Sequence, residues 1–179
     1  MRPKQSAKLQ RVSFRTMAET TTGRQSMMKI ARATKRQADW VVRHRIEMFR
    51  SMGWSEDELE KTEPIVREFF AMAPNNDIDC YLVTEEGKIV GGCAVSILRM
   101  LPSYKNRTGL QAYLHNMYVE PDYRGKGIAT ALLEFILDTY TKRGIRRFTL
   151  HASEMGRPLY EHMGFEKSDN YYSKSIQDT

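Results

Sequence analysis

A chain of 179 residues with 28 Lys and Arg against 22 Asp and Glu suits one domain with a substantial core. No apolar run approaches the roughly 20 residues a bilayer crossing needs, so no membrane partner is expected and a cytoplasmic location is. The formal charge of +6 is uneven: residues 1–28 hold six basic residues against Glu19, leaving +1 for the rest (22 minus 21), which predicts no nucleic-acid partner for the domain.

Two cysteines, Cys80 and Cys93, are too few for a disulfide framework, and four scattered histidines lack zinc-ligand spacing, so no metal is expected. Residues 1–27 are rich in Ser, Thr and Arg with little apolar periodicity. They read as a disordered extension, as a transit peptide, or as a misassigned start ahead of Met27 or Met28. The folded domain is expected over residues 28–179.

Lys29 to Ala33 reads as a first strand. Thr34-Lys35-Arg36-Gln37 has the form of a capping box, opening a helix with Val42, Ile46 and Phe49 on one face until Gly53. Ser55-Glu56-Asp57-Glu58 is a second capping box. Pro64 fits badly deep in a helix but well in a first turn capped by Thr62, so two short helices are predicted here. The second buries Ile65, Val66, Phe69 and Phe70 and ends before Pro74. Cys80 to Thr84 and Lys88 to Arg99 then form a hairpin about Glu86-Gly87. Pairs across that turn sum to 173, which sets Cys80 opposite Cys93, both small and buried. A polar loop, Pro102 to Gly109, leads to a strand, Leu110 to Val119. Next come a helix from Gly127 to Arg143 closed by Gly144, a strand from Arg147 to His151 and a short helix from Met155 to His162. Two last strands are predicted near Phe165 to Ser168 and Tyr171 to Ser175. By pattern alone the chain is α/β or α+β.

The junction from Val119 to Ala131 carries the chemistry. A β-branched strand end breaks at Pro121, crosses a basic glycine turn and enters an apolar helix. A helix N-terminus offers unpaired N–H groups and the positive end of the macrodipole, so this turn is built to hold an anion. Gly125 and Gly127 let the backbone approach a phosphate, and Arg124 and Lys126 add charge. A Walker loop is excluded by the missing Gly-Lys-Ser/Thr ending. A dinucleotide fingerprint is excluded because one of its glycines has no counterpart.

Arg124-x-x-Gly127-x-Ala129, after a strand reading Leu-x-x-Met-Tyr-Val, resembles the acetyl-CoA loop of the GCN5-related N-acetyltransferases. Leu159-Tyr160-Glu161-His162-Met163-Gly164-Phe165 resembles the Leu-Tyr-x-x-x-Gly-Phe signature of the same family. Tyr160 follows Arg124 by 36 residues, room for one helix and one strand. The resemblance spans residues 28 to 175 and makes 28–179 an N-acetyltransferase domain. It implies an α/β (α+β) fold, a mixed, largely antiparallel sheet of about seven strands flanked by about four helices.

Moving an acetyl group from a thioester to an amine needs a held donor, a neutral amine, a stabilised oxyanion and a protonated leaving thiolate. The resemblance implies acetyl-CoA as co-substrate, with Arg124, Gly125, Lys126, Gly127, Ile128, Ala129 and Thr130 at its pyrophosphate. The backbone of Met117, Tyr118 and Val119 would pair with the pantetheine arm like an added strand, which requires the fourth strand to splay from the fifth. Tyr160 matches the position that protonates the thiolate, and a phenol of reference pKa about 10 stays protonated at neutral pH. The family has no fixed base but often uses a histidine or carboxylate on the fourth strand. His115 lies there, on the face of Met117 and Val119 if alternation is regular, a parity that a bulge, which the family often has here, would change, and it reads equally as a histidine with no role. Glu120 reads as solvating or capping the turn, and His151 is a weaker base candidate. Ser153 stands where the family often has a cofactor-contacting Asn, implying a shorter or water-mediated contact.

Acceptor choice is expected from Met48 to Glu60 and Ser168 to Tyr172. There Trp54, Tyr171 and Tyr172 fit a pocket wall for a small-molecule or peptide amine, or equally a homodimer contact. The expected activity is acetyl-CoA-dependent N-acetyl transfer to a primary amine by direct attack in a ternary complex. A non-catalytic acyl-CoA-binding module, or a toxin-like enzyme acting on aminoacyl-tRNA, is the alternative.

Overall fold

One sheet takes its strands in chain order: β1 (Lys29–Arg32), β2 (Ile78–Glu85), β3 (Lys88–Arg99), β4 (Leu110–Val119) and β5 (Arg147–Leu150). Neighbours are antiparallel except β4 and β5, which run parallel. That parallel pair requires a crossover, and α3 (Ile128–Lys142) supplies it. The remaining helices are α1 (Ala38–Ser51), α2 (Glu56–Met72) and α4 (Arg157–His162). The structure, a computed structural model, describes residues 28–72, 78–168 and 172–175, so the reading of residues 1–27 and of Tyr171 falls outside it.

Both capping boxes form. Gln37 Oε1 accepts from the Thr34 N–H at 3.0 Å, ahead of a 3-10 turn that leads into α1. Glu58 Oε2 accepts from the Ser55 N–H at 2.8 Å at the start of α2. The β2–β3 turn is Glu86-Gly87, with φ of 49° and 79°, the left-handed pair that a two-residue hairpin demands.

The core lies between the sheet and α3. Tyr81, Val83, Val95, Ala112 and Leu114 meet Ile128, Leu132, Leu133, Ile136 and Tyr140 there. The apolar face of α1 turns to the other side of the sheet, and Ile46 and Phe49 pack with Leu59 of α2. No helix among the described residues is long and apolar enough to cross a membrane.

Four expectations need correction. The predicted break at Pro64 does not occur, and α2 runs through it as one helix. Thr62 donates its hydroxyl to the Glu58 carbonyl at 2.7 Å, so it back-bonds within the helix instead of capping a new one. Ile65 and Phe69 are exposed, because α2 buries only a narrow stripe through Leu59. Cys80 does not face Cys93: an irregularity between Val83 and Thr84 moves the register by one, pairing Cys80 with Ala94 and Tyr81 with Cys93. The thiols therefore sit on opposite faces. Burial pushes the Cys80 thiol up to about 12 and the Cys93 thiol higher still, so both stay protonated and inert. Finally the sheet has five strands among the described residues where about seven were expected, since Phe165 to Ser168 and residues 172–175 are not strands. Beyond Phe165 these described positions are exposed, so they bury no apolar face that would dock them on β5.

Candidate active site

β4 has two parts. From Gln111 to Leu114 it pairs with β5, Gln111 opposite Arg147 and Leu114 opposite Leu150. β5 then ends, while β4 continues to Val119 against β3 alone. From His115 to Val119 β4 thus has no strand partner on its β5 side among the described residues. A β-bulge lies at the same point on the β3 side: Gly92 faces Tyr118 but Ala94 faces His115, so Asn116 and Met117 oppose the single residue Cys93. Asn116 takes φ 54°, a left-handed geometry that asparagine tolerates better than most residues.

The bulge reverses which side chains face the core. Ala112 and Leu114 point to α3, and beyond the bulge Met117 and Val119 do so. His115 therefore shares the opposite face with Tyr113 and Tyr118, the parity a bulge imposes, and not the face of Met117 and Val119 that regular alternation would give. Its Nε2 lies 2.8 Å from Ser96 Oγ, and its ring lies 4.4 Å from that of Tyr113. Burial, followed by the charge of Arg45, holds its pKa below the ordinary histidine value.

The turn after β4 is a 3-10 turn, Pro121–Tyr123, followed by Gly125 and Gly127 at φ 72° and 77°. A Cβ at either glycine meets nothing within 4 Å, so these positions need glycine for backbone conformation and have open space before them. Ala131 donates to the Gly127 carbonyl at 3.0 Å, closing the first turn of α3. The N–H groups of Ile128, Ala129 and Thr130 then lie at the free end of the helix. Lys126 lies over the Tyr123 ring, 4.9 Å from its centroid. Arg124 folds inward. Its Nε donates to the Val119 carbonyl at 2.9 Å, its guanidinium lies 5.7 Å from the Tyr118 ring centroid, and Nη1 reaches Met155 Sδ at 3.6 Å. An open strand edge, a left-handed glycine turn and a free helix N-terminus together fit an extended thiol carrier with a phosphate group.

Tyr160, on α4, is buried in the core beside Phe165, ring centroids 5.8 Å apart. Its hydroxyl makes no hydrogen bond among the described residues, and burial pushes its pKa further above the usual phenol value. Gly156 permits this packing, because a Cβ there would stand 3.2 Å from the Tyr160 ring. Ser153 Oγ accepts from the Gly156 N–H at 3.2 Å and its carbonyl accepts from Arg157 at 3.0 Å. Ser153 thus closes the turn that leads into α4, a structural task for the residue at the family's cofactor-contact position.

Glu120 is held from the α1 side. Arg43 lies 2.9 Å and the buried His44 Nε2 3.7 Å from its Oε1. Burial, with the charge of Arg43, depresses the His44 pKa to about 4, so its imidazole is neutral at neutral pH. His44 packs against Gly92, where a Cβ would stand 3.1 Å from Nδ1. Trp54 stacks on Phe49 at 4.0 Å, and Tyr172 is almost fully exposed. The acids of the α1–α2 junction are engaged locally, Glu56 with Arg50 and Asp57 with Lys61.

Sequence reasoning missed Asn116, Gly156 and Arg45. Asn116 had a signal, because an asparagine, which tolerates left-handed backbone, sits inside a strand where such residues are depleted. Gly156 and Arg45 had none, since their roles depend on what packs against them.

A model of the Acetyltransferase (GNAT) family matches residues 41–165. Over 68 residues the chain is 37% identical to the ribosomal protein bS18 alanine N-acetyltransferase of Escherichia coli K12, covering 35% of this chain and 46% of that protein. The match thus spans less than half the length of that relative. Among solved structures, one described as a predicted acetyltransferase with acetyl-CoA from Clostridium acetobutylicum is 29% identical. It has a TM-score of 0.70 and covers 83% of this chain and 96% of that one. A GCN5-related N-acetyltransferase from Ralstonia eutropha JMP134 is 28% identical, with a TM-score of 0.76 and coverage of 83% and 98%.

Proposed function

The chain belongs to the GNAT acetyltransferase family, and on that premise we propose that it transfers the acetyl group of acetyl-CoA to a primary amine of a small molecule or peptide. The reading rests on one observation above all: β4 and β5 part beside a helix N-terminus entered through left-handed glycines. Acetyl-CoA, when bound, supplies an activated acyl group on a good leaving thiolate. The turn from Arg124 to Thr130 holds the pyrophosphate through backbone N–H groups, with Lys126 adding charge. The open edge at Met117 and Val119 receives the pantetheine arm as an added strand and turns a backbone N–H toward the acyl carbonyl.

Tyr160 holds its proton at neutral pH and donates it to the departing sulfur. Its unshared hydroxyl stays protonated, and although burial makes it a weaker acid, it is free to donate to the sulfur as negative charge develops there. His115 takes the amine's proton on the opposite face. An amine of pKa about 10.4 is almost wholly charged near neutral pH, so a base with depressed pKa, neutral and ready to accept, is the useful kind. The E. coli relative's named substrate, an alanine of a ribosomal protein, makes a peptide α-amine one acceptor worth including. Thiol release from acetyl-CoA across an amine panel, scored by an acetyl mass shift on the acceptor, tests the proposal. Acetyl-CoA bound without transfer to any amine leaves a non-catalytic acyl-CoA module instead.

A further inference from the structure

The sheet face turned away from α3 carries polar side chains that donor binding leaves unused. Register sets Ser96 of β3, Gln111, Tyr113 and His115 of β4, and Arg147 and Thr149 of β5 on this one face. His151, two residues beyond Thr149, joins them through a hydrogen bond between its Nδ1 and the Tyr113 hydroxyl. Arg147 is exposed and donates from Nε to Gln111 Oε1 at 3.1 Å. Arg45 of α1 is half-buried, its guanidinium 4.3 Å from the Phe49 ring centroid, and its charge acts on both His115 and Tyr113.

Neither arginine is ion-paired among the described residues. The neighbouring acids are committed elsewhere, Glu47 to Arg50 and Glu120 to Arg43. A half-buried guanidinium gives up hydration, and an uncompensated one costs stability unless a ligand supplies the counter-charge. Two arginines bordering one polar face, with ring N–H groups able to donate hydrogen bonds, favour an anion and disfavour a polycation.

We propose that this face receives the acceptor, and that the acceptor carries a carboxylate or phosphoryl group near its amine, held by Arg45 and Arg147 while the amine reaches the fork. The proposal rests on the acetyl-transfer reading of the same site. Both groups are compact anions with paired oxygens, which a guanidinium meets with two parallel hydrogen bonds. Arg45 and Arg147 are then specificity residues that choose among amines.

The test uses matched acceptors, β-alanine against β-alaninamide and O-phosphoethanolamine against ethanolamine. Wild-type protein should favour the anionic member of one pair by about 10-fold or more in kcat/KM, the worth of one hydrogen bond to a charged group. Which pair responds identifies the anion. Arg45→Met and Arg147→Gln should each shrink that preference, with the exposed Arg147 guarding against a folding artefact. The same four compounds are titrated by NMR without acetyl-CoA. Saturable binding of the anionic amines, weakened in both variants, supports the anion site even if no amine is acetylated, in which case only the transfer reading falls. Equal kcat/KM within both pairs with no saturable binding, or a preference that survives both substitutions, overturns the proposal.

Discussion

Gly125→Ala/Gly127→Ala separates what the turn does for the fold from what it does for a ligand. Both glycines hold left-handed backbone, and a Cβ at either meets no atom within 4 Å. No clash is introduced, so the cost is conformational, about 1–2 kcal/mol for each alanine forced into that region. The double variant should lose about 2–4 kcal/mol in all, lowering the melting temperature by about 5–15 °C for a chain of this size. Asparagine tolerates the same geometry, so the corresponding double Asn variant should lose less. If these residues shape an anion cradle, displacing one charged backbone hydrogen bond weakens acetyl-CoA by about 1.5–3 kcal/mol, roughly 10- to 100-fold in Kd. Thermal unfolding and calorimetric titration measure the two losses separately. A folded double alanine variant that binds acetyl-CoA with wild-type affinity refutes the cradle and leaves the glycines as turn residues only.

Tyr160→Phe removes a hydroxyl that has no hydrogen-bond partner among the described residues, so stability should hold while turnover falls by roughly 10²–10⁴-fold. Wild-type turnover would leave Tyr160 a packing residue. His115 titrates below the ordinary histidine value because of burial and Arg45, so the acidic limb of the pH–rate profile should lie low. Arg45→Met removes a positive charge and should move that limb to higher pH, and His115→Ala should abolish it; an unmoved limb in both makes His115 a bystander. His44 is depressed to about 4, so between there and about 6.5 the unfolded chain binds a proton that the folded one refuses. Its contribution is full above that window and lost as pH falls through it, about 3 kcal/mol at most. Urea unfolding at pH 7 and 4.5 should show the loss in wild type and a flatter dependence in His44→Leu.

Elements governed by local chemistry were legible in the chain. The two capping boxes, the Glu86-Gly87 turn and the strand–turn–helix from Leu110 to Lys142 follow from side chains a few residues apart. Features decided by a neighbour were not. Pro64 was read by its local cost, yet the helix continues through it. The Cys80 register was read by counting from a turn, and one irregularity beyond Val83 changed the partner. The candidate site divides the same way. Gly125, Gly127 and Tyr160 announce themselves through short patterns. That Arg45 sits beside His115 depends on packing between segments far apart in sequence.

Asn116 links the two halves of the site. One left-handed residue moves the core-facing positions of β4 from Ala112 and Leu114 to Met117 and Val119. A bulged strand bends and twists more strongly than a regular one, and this bulge lies just past Leu114, where the pairing with β5 ends at Leu150. The open edge then lies beside α3 and Tyr160, while His115, Tyr113 and Arg45 collect on the α1 side. In a regular strand His115 would share one face with Met117 and Val119, so either the imidazole would enter the core or that apolar pair would leave it. On the proposed reading donor and acceptor would meet opposite faces of one strand, so both substrates could be present together, and direct attack would be favoured over an acylated protein that must exchange one substrate for the other.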